Sequence, residues 1–320
     1  MPQDKIQHIY AAHAYYDIRQ ELEKRPGAPA CTQVSTLDDL KAIIPQAEVL
    51  VTSMLWRNEL LDMAPRLRLI QSISSGVDQF DLNRLKKRGI RLCNARGVNA
   101  NAVAEHALAL MLNLARRLYE ARDNQKLRHW STTGTDPRPR LQELSEKHVL
   151  IVGMGTIGDR VARLCLALGM KVSGARHSAR PLDVAGVEQI AMDDLHSGLK
   201  VADYVILTCP LTAQTRHLIN AAAFGAMKHD ACLVNVARGP VVEETALIEA
   251  LDAGRIAGAA LDTYDEEPLP SSSALWSRPN LVMTGHTAGE TQFYERNVVD
   301  ILMKNLAALE TGGVMTNQII

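Results

Sequence analysis

One stretch constrains the fold of this chain more than any other. The apolar run Val149-Leu-Ile-Val leads straight into Gly153-Met-Gly155-Thr-Ile-Gly158, a G-x-G-x-x-G spacing, and Ile157, Val161, Leu164 and Leu168 then recur at helical intervals until Gly169 stops them. A strand that turns tightly through glycines into a helix is a site for a dinucleotide. The glycines let the backbone approach a pyrophosphate, and the helix start offers unpaired N–H groups to it. Gly153, Gly155 and Gly158 are therefore expected to cradle phosphate. The motif lies in the middle of the chain, so the dinucleotide domain is not N-terminal.

The strand after this helix, Lys171 to Ala175, is expected to end beside the adenosine ribose, and the residue there is Arg176. An acid at this place accepts from a free 2′-hydroxyl and repels a 2′-phosphate, whereas a guanidinium favours the phosphate and stacks on adenine. Arg176, with His177, Ser178 and Arg180 behind it, points to NADP(H), with NAD(H) as the second choice. An ordinary arginine closing a strand is the competing reading.

Around this unit, short β-rich runs alternate with helical patterns, which argues for parallel sheets built from βαβ units. Strands are expected at Gln7 to Ala12, Glu48 to Ser53, Leu67 to Ser72 and Ile90 to Asn94, and a second series at 148–152, 170–175, 203–209, 231–237, 256–262 and 281–284. Between the series, Val103, Ala107, Leu110, Met111, Leu114 and Leu118 form an apolar stripe on one long helix from Asn101 to about Leu127. That stripe is expected to bridge domains or to meet a partner. With 320 residues, 47% of them hydrophobic, two domains are expected, because single cores stop growing at about 250–300 residues.

A formal charge of −1 supplies no field that selects nucleic acid or an anionic membrane, so neither is expected as a partner. The five cysteines form no C-x-x-C pair and read as buried thiols rather than a disulfide framework or a metal site. The N-terminus, Met-Pro-Gln-Asp-Lys, carries no basic segment followed by an apolar one, and a cytoplasmic location is expected.

Three further motifs each follow an apolar run and so sit at the carboxyl end of an expected strand, the edge where open α/β sheets bind ligands. They are Asn235-Val-Ala-Arg238-Gly239, Asp262-Thr-Tyr-Asp-Glu-Glu267-Pro268 and Thr284-Gly-His286-Thr-Ala-Gly289. Together with Ser74-Ser-Gly76-Val-Asp78, Val103-Ala-Glu105-His106, the glycine turn, Cys209-Pro-Leu-Thr212 with Thr215, and Met227-Lys228, they span most of the sequence. In this order and spacing the chain resembles the D-isomer-specific 2-hydroxyacid dehydrogenase family, which includes glyoxylate/hydroxypyruvate reductases and phosphoglycerate dehydrogenases.

The resemblance implies a fold and a set of roles. The fold is α/β with two doubly wound parallel-sheet domains, a Rossmann cofactor domain (99–293) inserted into a flavodoxin-like substrate domain (1–98 and 294–320). Arg238 corresponds to the arginine that holds the substrate carboxylate and 2-oxo group, and the backbone N–H groups of Ser75 and Gly76 to the loop receiving the other side of that carboxylate. His286 corresponds to the general acid that protonates the carbonyl oxygen, and Glu267 to the carboxylate that hydrogen-bonds it. Thr156, Ile157, Cys209, Thr215, Val236, Ala237, Asp262, His286, Ala288 and Gly289 fall on cofactor-contacting positions. A homodimer is also implied, and no metal. Gly285 departs from the pattern, which has proline before the histidine.

Thr287 followed by Glu290 reads as a capping box, which would put His286 just ahead of a helix N-terminus. That end disfavours an imidazolium by about 0.3–1 kcal/mol. A hydrogen-bonded carboxylate favours it by more, so His286 is expected to keep its proton near neutral pH. The expected activity is reduction of a small 2-oxo acid, such as glyoxylate or hydroxypyruvate, to the D-2-hydroxy acid by hydride from NAD(P)H. Two alternatives stand beside it: a non-catalytic nucleotide-sensing protein like the corepressors of this fold, and an enzyme like phosphoglycerate dehydrogenase.

Overall fold

A computed structural model of the chain describes residues 5–130, 141–177 and 181–320. It divides into two compact units, residues up to Asn99 together with Thr291–Ile320, and Ala100–Glu290, so the second is inserted within the first. Of the expected NADP(H) residues, Ser178 and Arg180 lie outside the described residues.

The outer unit begins β1 (His8–Ala12), α1 (Ile18–Glu23), β2 (Ala30–Val34), α2 (Leu37–Ile43), β3 (Val49–Thr52), β4 (Leu69–Ser72), α3 (Leu82–Lys87) and β5 (Arg91–Cys93). All five strands are parallel, in the order β2-β1-β3-β4-β5. Because side chains alternate across a strand, each strand serves two cores. Ile9, Ala11, Val49 and Val51 pack with α1 on one face, while Ala12, Leu50, Ile70 and Leu92 pack with Leu40, Trp56, Leu60 and Leu85 on the other. The edge strand β2 was not expected. Its ACTQV sequence is only partly buried and lacks the continuous apolar run that marks strands covered on both faces.

The inserted unit runs α4 (Ala100–Arg116), α5 (Leu118–Lys126), β6 (His148–Val152), α6 (Thr156–Ala167), β7 (Lys171–Arg176), β8 (Val187–Ala191), α7 (Leu195–Val201), β9 (Tyr204–Leu207), α8 (Ala221–Ala226), β10 (Cys232–Asn235), α9 (Glu244–Asp252), β11 (Gly258–Leu261) and β12 (Leu281–Met283). The chain then returns to the outer unit through α10 (Tyr294–Thr311). Seven parallel strands lie in the order β12-β11-β10-β9-β6-β7-β8. From β6 the chain winds first towards β8, and it resumes on the other side at β9, so the order reverses between β6 and β9. In open α/β sheets a switch point of this kind is where ligands bind, and here the glycine turn follows β6 at that point.

The long helix is two helices. Arg117 adopts a left-handed backbone (φ 48°) and separates α4 from α5. Val103, Ala107, Leu110, Met111 and Leu114 are buried against the sheet and α6 of their own unit, so the stripe is consumed there rather than by a partner. Beyond Arg117 no residue of α5 is buried, and Leu118 is left exposed. With no apolar face to continue, the helix has no packing reason to stay straight. Among the described residues, no helix is long and apolar enough to cross a membrane.

A polar cluster pins the amino ends of β6, β9 and β10. Burial of Asp203 works against its charge, but the Lys228 ammonium at 2.5 Å, the His148 N–H at 2.8 Å and the nearby Lys147 outweigh it and hold the carboxyl below its usual range. A depressed carboxyl contributes stability that is present above its unfolded value and is lost as pH falls through its folded value. Lys228→Met is therefore expected to lower stability at pH 7 by about 1 kcal/mol, a modest figure because the lysine is a third exposed. The deficit should close in acid, as followed by urea unfolding at several pH values.

Candidate active site

The three glycines of the turn are each required for a different reason. Gly153 has φ 109°, and a Cβ there would meet the backbone of Cys209, 2.6 Å from its Cα. Gly158 has no room for a side chain either, because its Cβ would run into the Gly153 carbonyl where α6 crosses β6. Gly155, the residue preceding α6, faces open space, with nothing within 4 Å of where a Cβ would lie. No side chain caps that helix. A glycine facing open space beside uncapped N–H groups is what a bound pyrophosphate needs, so Gly155, Thr156, Ile157 and Gly158 fit a dinucleotide.

The other expected cofactor residues are placed unevenly. Cys209, Val236 and Ala237 lie buried at the ends of β9 and β10, beside the switch point, and burial pushes the Cys209 thiol up to about 11. The Thr215 hydroxyl is spent inside its own loop, donating to the Pro210 carbonyl at 2.6 Å and accepting from the Thr212 N–H at 2.7 Å. Arg176 closes β7, and its Nη2 donates to the Pro181 carbonyl at 2.7 Å. His177 follows it, exposed.

Arg238 stands just past β10 with an extended backbone and an exposed side chain. Buried Asn235 shapes this turn: its Oδ1 accepts from the Ala237 N–H at 3.0 Å and its Nδ2 donates to the Arg238 carbonyl at 3.1 Å. One guanidinium nitrogen donates to the Ala237 carbonyl at 2.7 Å, which holds the base of the side chain to the strand end. Gly239 is packed against the Tyr264–Asp265 peptide so closely that any Cβ would overlap it. The arginine turn is thus fastened to the turn that carries Glu267.

Glu267 and His286 meet directly, Oε2 to Nδ1 at 2.6 Å. The other carboxylate oxygen accepts from the Tyr264 N–H at 2.9 Å. An ionised carboxylate only accepts, so the ring proton is on Nδ1, and Nε2 is left to take or give a second proton. His286 itself has φ 54°, in the left-handed region, after Gly285. The helix expected to open at Thr287 begins only at Tyr294. Thr287 instead accepts from the Glu290 N–H in a turn, so the expected helix end does not lie beside the imidazole.

Asp262, at the end of β11, is 1% exposed, and its carboxylate is fully committed. It accepts from the Thr284 hydroxyl at 2.6 Å, the Thr287 N–H at 2.9 Å and the Ala288 N–H at 3.0 Å. A residue expected to contact cofactor therefore fastens the segment that bears His286, and the Ala288 N–H is spent on it. Gly289 follows, half-buried.

In the outer unit, Ser75 and Gly76 are exposed on the loop after β4. The Ser75 carbonyl accepts from Asn94 Nδ2 at 2.6 Å and the Gly76 carbonyl from the Ser74 hydroxyl at 3.2 Å, so the loop's carbonyls are tied down. Among the described residues, no group of three or more His, Cys, Asp or Glu side chains is placed to hold a metal ion. Asn235, Tyr264 and Thr284 stand inside the motifs, but motif reading gives them no role of their own. Asn235 carried a signal, since a short amide at a strand end commonly shapes a turn, but tyrosine and threonine at their positions carried none.

Known proteins match this chain over most of its length. Residues 108–288 match the pattern of the D-isomer specific 2-hydroxyacid dehydrogenase, NAD binding domain. The chain is 36% identical to the glyoxylate reductase of Thermococcus kodakarensis over 278 residues, 85% of this chain and 82% of that one. It is 36% identical to the glyoxylate/hydroxypyruvate reductase B of Citrobacter koseri over 261 residues, 81% and 79% of the two chains. A solved D-lactate dehydrogenase from Treponema pallidum superposes with a TM-score of 0.82 at 27% identity, covering 97% of this chain and 99% of that one.

Because the space beside Gly155 is open, Gly155→Ala is expected to fold. It should lose about 1 kcal/mol at most, as for a changed helix cap, while weakening dinucleotide binding at least about tenfold by filling the phosphate's place. Calorimetric titration with NADPH and NADH, alongside thermal unfolding, measures both.

Proposed function

The chain belongs to the D-isomer specific 2-hydroxyacid dehydrogenase family, and from that premise we propose that it reduces a small 2-oxo acid of the glyoxylate or hydroxypyruvate type to the D-2-hydroxy acid, with NADPH preferred. The observation that carries the reading is the 2.6 Å bond between Glu267 and His286 Nδ1, beside an arginine turn fastened to the same loop. The substrate class follows the relatives named as glyoxylate and glyoxylate/hydroxypyruvate reductases.

When bound at the glycine turn, the reduced nicotinamide supplies a hydride for the carbonyl carbon. Arg238 presents a planar fork of donors that suits a carboxylate and a neighbouring 2-oxo oxygen, and orients both. His286 gives its Nε2 proton to the carbonyl oxygen as negative charge develops there, which leaves a neutral ring with its remaining proton on Nδ1. Glu267 holds that ring in place through its Nδ1. The proton and the hydride together turn the ketone into the hydroxyl of the product.

The preference for NADPH rests on Arg176, the residue that closes β7 where an acid would select NADH. Homodimerisation belongs to the same proposal. With the α4 stripe consumed internally, it draws on Leu118, Leu127 and Trp130, whose exposures are 54%, 76% and 88%. The reading of a nucleotide sensor without turnover makes the opposite forecast in one assay.

That assay follows absorbance of NADPH and of NADH with a panel of 2-oxo acids. Turnover with glyoxylate or hydroxypyruvate supports the proposal, and tight cofactor binding with no turnover on any acid overturns it in favour of the sensor. Arg176→Asp should reverse the ratio of kcat/KM for NADPH over NADH. In Glu267→Gln the ring loses the carboxylate that holds its Nδ1, so reductive kcat/KM should fall about tenfold or more with the NADPH dissociation constant preserved. An unchanged kcat/KM removes Glu267 from this role.

A further inference from the structure

His286 combines a left-handed backbone with a glycine before it, Gly285, where nothing lies within 4 Å of the place a Cβ would take. For a residue with a side chain, that conformation costs about 1–2 kcal/mol and persists only where the surroundings hold it. The imidazole is 44% exposed, so its own packing does not supply the hold. The restraint comes from its neighbours in sequence. Behind it, the Thr287 and Ala288 N–H groups are bound by Asp262. Ahead of it, Thr284 is gripped at both ends. Its carbonyl accepts from the Tyr264 hydroxyl at 2.7 Å, and its own hydroxyl lies between Asp262 at 2.6 Å and His106 Nε2 at 3.0 Å.

Proton accounting settles the direction of these bonds. The Thr284 hydroxyl has a single proton, and an ionised Asp262 can only accept it. The contact with His106 therefore requires the hydrogen to be on Nε2, donated to the Thr284 oxygen. His106 projects from α4, the first helix of the inserted unit, and Asp262 Oδ1 lies 3.5 Å from the same nitrogen. Tyr264 contributes twice to the same loop. Its N–H holds Glu267 Oε1, and its buried hydroxyl holds the carbonyl two residues before His286. Its ring position therefore sets the spacing between the two members of the acid pair.

We propose that His106 and Tyr264 are positioning residues that hold the Thr284–His286 segment so that the imidazole meets Glu267 in one geometry. Its consequence for kcat rests on the reading of His286 as the general acid, whereas the hold on the imidazole rests on the loop contacts themselves. Misplacement of an acid by less than an ångström lowers the chemical step while leaving binding in place.

The test uses the full-length protein with Tyr264→Phe, which keeps the ring and removes the hydroxyl, and with His106→Leu and His106→Gln. Two readouts are taken: kcat and KM for glyoxylate with NADPH, and the low-field proton resonance of His286 Nδ1, assigned by its absence from His286→Ala. Tyr264→Phe and His106→Leu are expected to lower kcat about tenfold, to leave the NADPH dissociation constant within about twofold, and to shift or broaden the resonance. His106→Gln, whose amide N–H can still donate to Thr284, is expected to recover most of both. If the variants only lower the unfolding temperature, with kcat and the resonance unmoved, the proposal is overturned. Failure of His106→Gln to recover either readout overturns it for His106. A parent protein with no turnover, but with a resonance lost in Tyr264→Phe and His106→Leu, would refute the enzymatic reading and leave this inference standing. Should His106→Leu fail to fold, Tyr264→Phe decides alone.

Discussion

The buried carboxylate of Asp262 is the constraint on which the acid pair depends. Fully enclosed at the end of β11, it is costly to bury unless its lone pairs are filled, and the groups that fill them come from the segment around His286. The desolvation cost of one acid is thereby converted into the fixed position of a histidine that protrudes into solvent. Without those donors, the strain at His286 and the freedom of Gly285 would release the imidazole from Glu267. The pair is short and charge-assisted, but it is a consequence of the loop being held, not the cause.

The parallel sheet supplies the frame for this arrangement. In the inserted unit the ends of β6, β9, β10 and β11 carry, in turn, the glycine turn, Cys209, the Arg238 turn and Asp262, while β12 leads into Thr284 and His286. Strands β9, β10, β11 and β12 are hydrogen-bonded neighbours, so motifs separated by dozens of residues along the chain fall within one edge of one sheet. Two close approaches fix the depth of the edge. Gly153 against Cys209 sets the glycine turn, and Gly239 against Tyr264 sets the arginine beside the acid loop. A methyl group at either place would push the elements apart.

Much of this is legible in the amino-acid sequence, for identifiable reasons. The glycine turn is dictated by backbone sterics, which act on residue type directly, and doubly buried strands such as VLIV announce themselves as continuous apolar runs. The edge strands β2 and β8 did not, because ACTQV and VEQIA are half-polar and owe their pairing to a neighbour rather than to their own pattern. The start of the last helix was misplaced for a related reason. Thr287 and Glu290 have the spacing of a capping box, but the Thr287 N–H was already bound by Asp262, a tertiary contact no local pattern reveals. The break at Arg117 was hidden in the same way, since Leu118 extends the apolar spacing of α4 yet finds nothing to pack against. The roles of Tyr264 and Thr284 depend on one hydroxyl each, and one hydroxyl leaves no periodic trace.

The claim at the centre of this account is that His286 delivers the proton to the substrate carbonyl. The most direct measurement is the single-turnover rate of glyoxylate reduction by His286→Gln preloaded with NADPH. Loss of a general acid predicts a fall of about 10²–10⁴-fold with the NADPH dissociation constant preserved. A rate within a few fold of the parent protein would contradict the account and move the proton to another group.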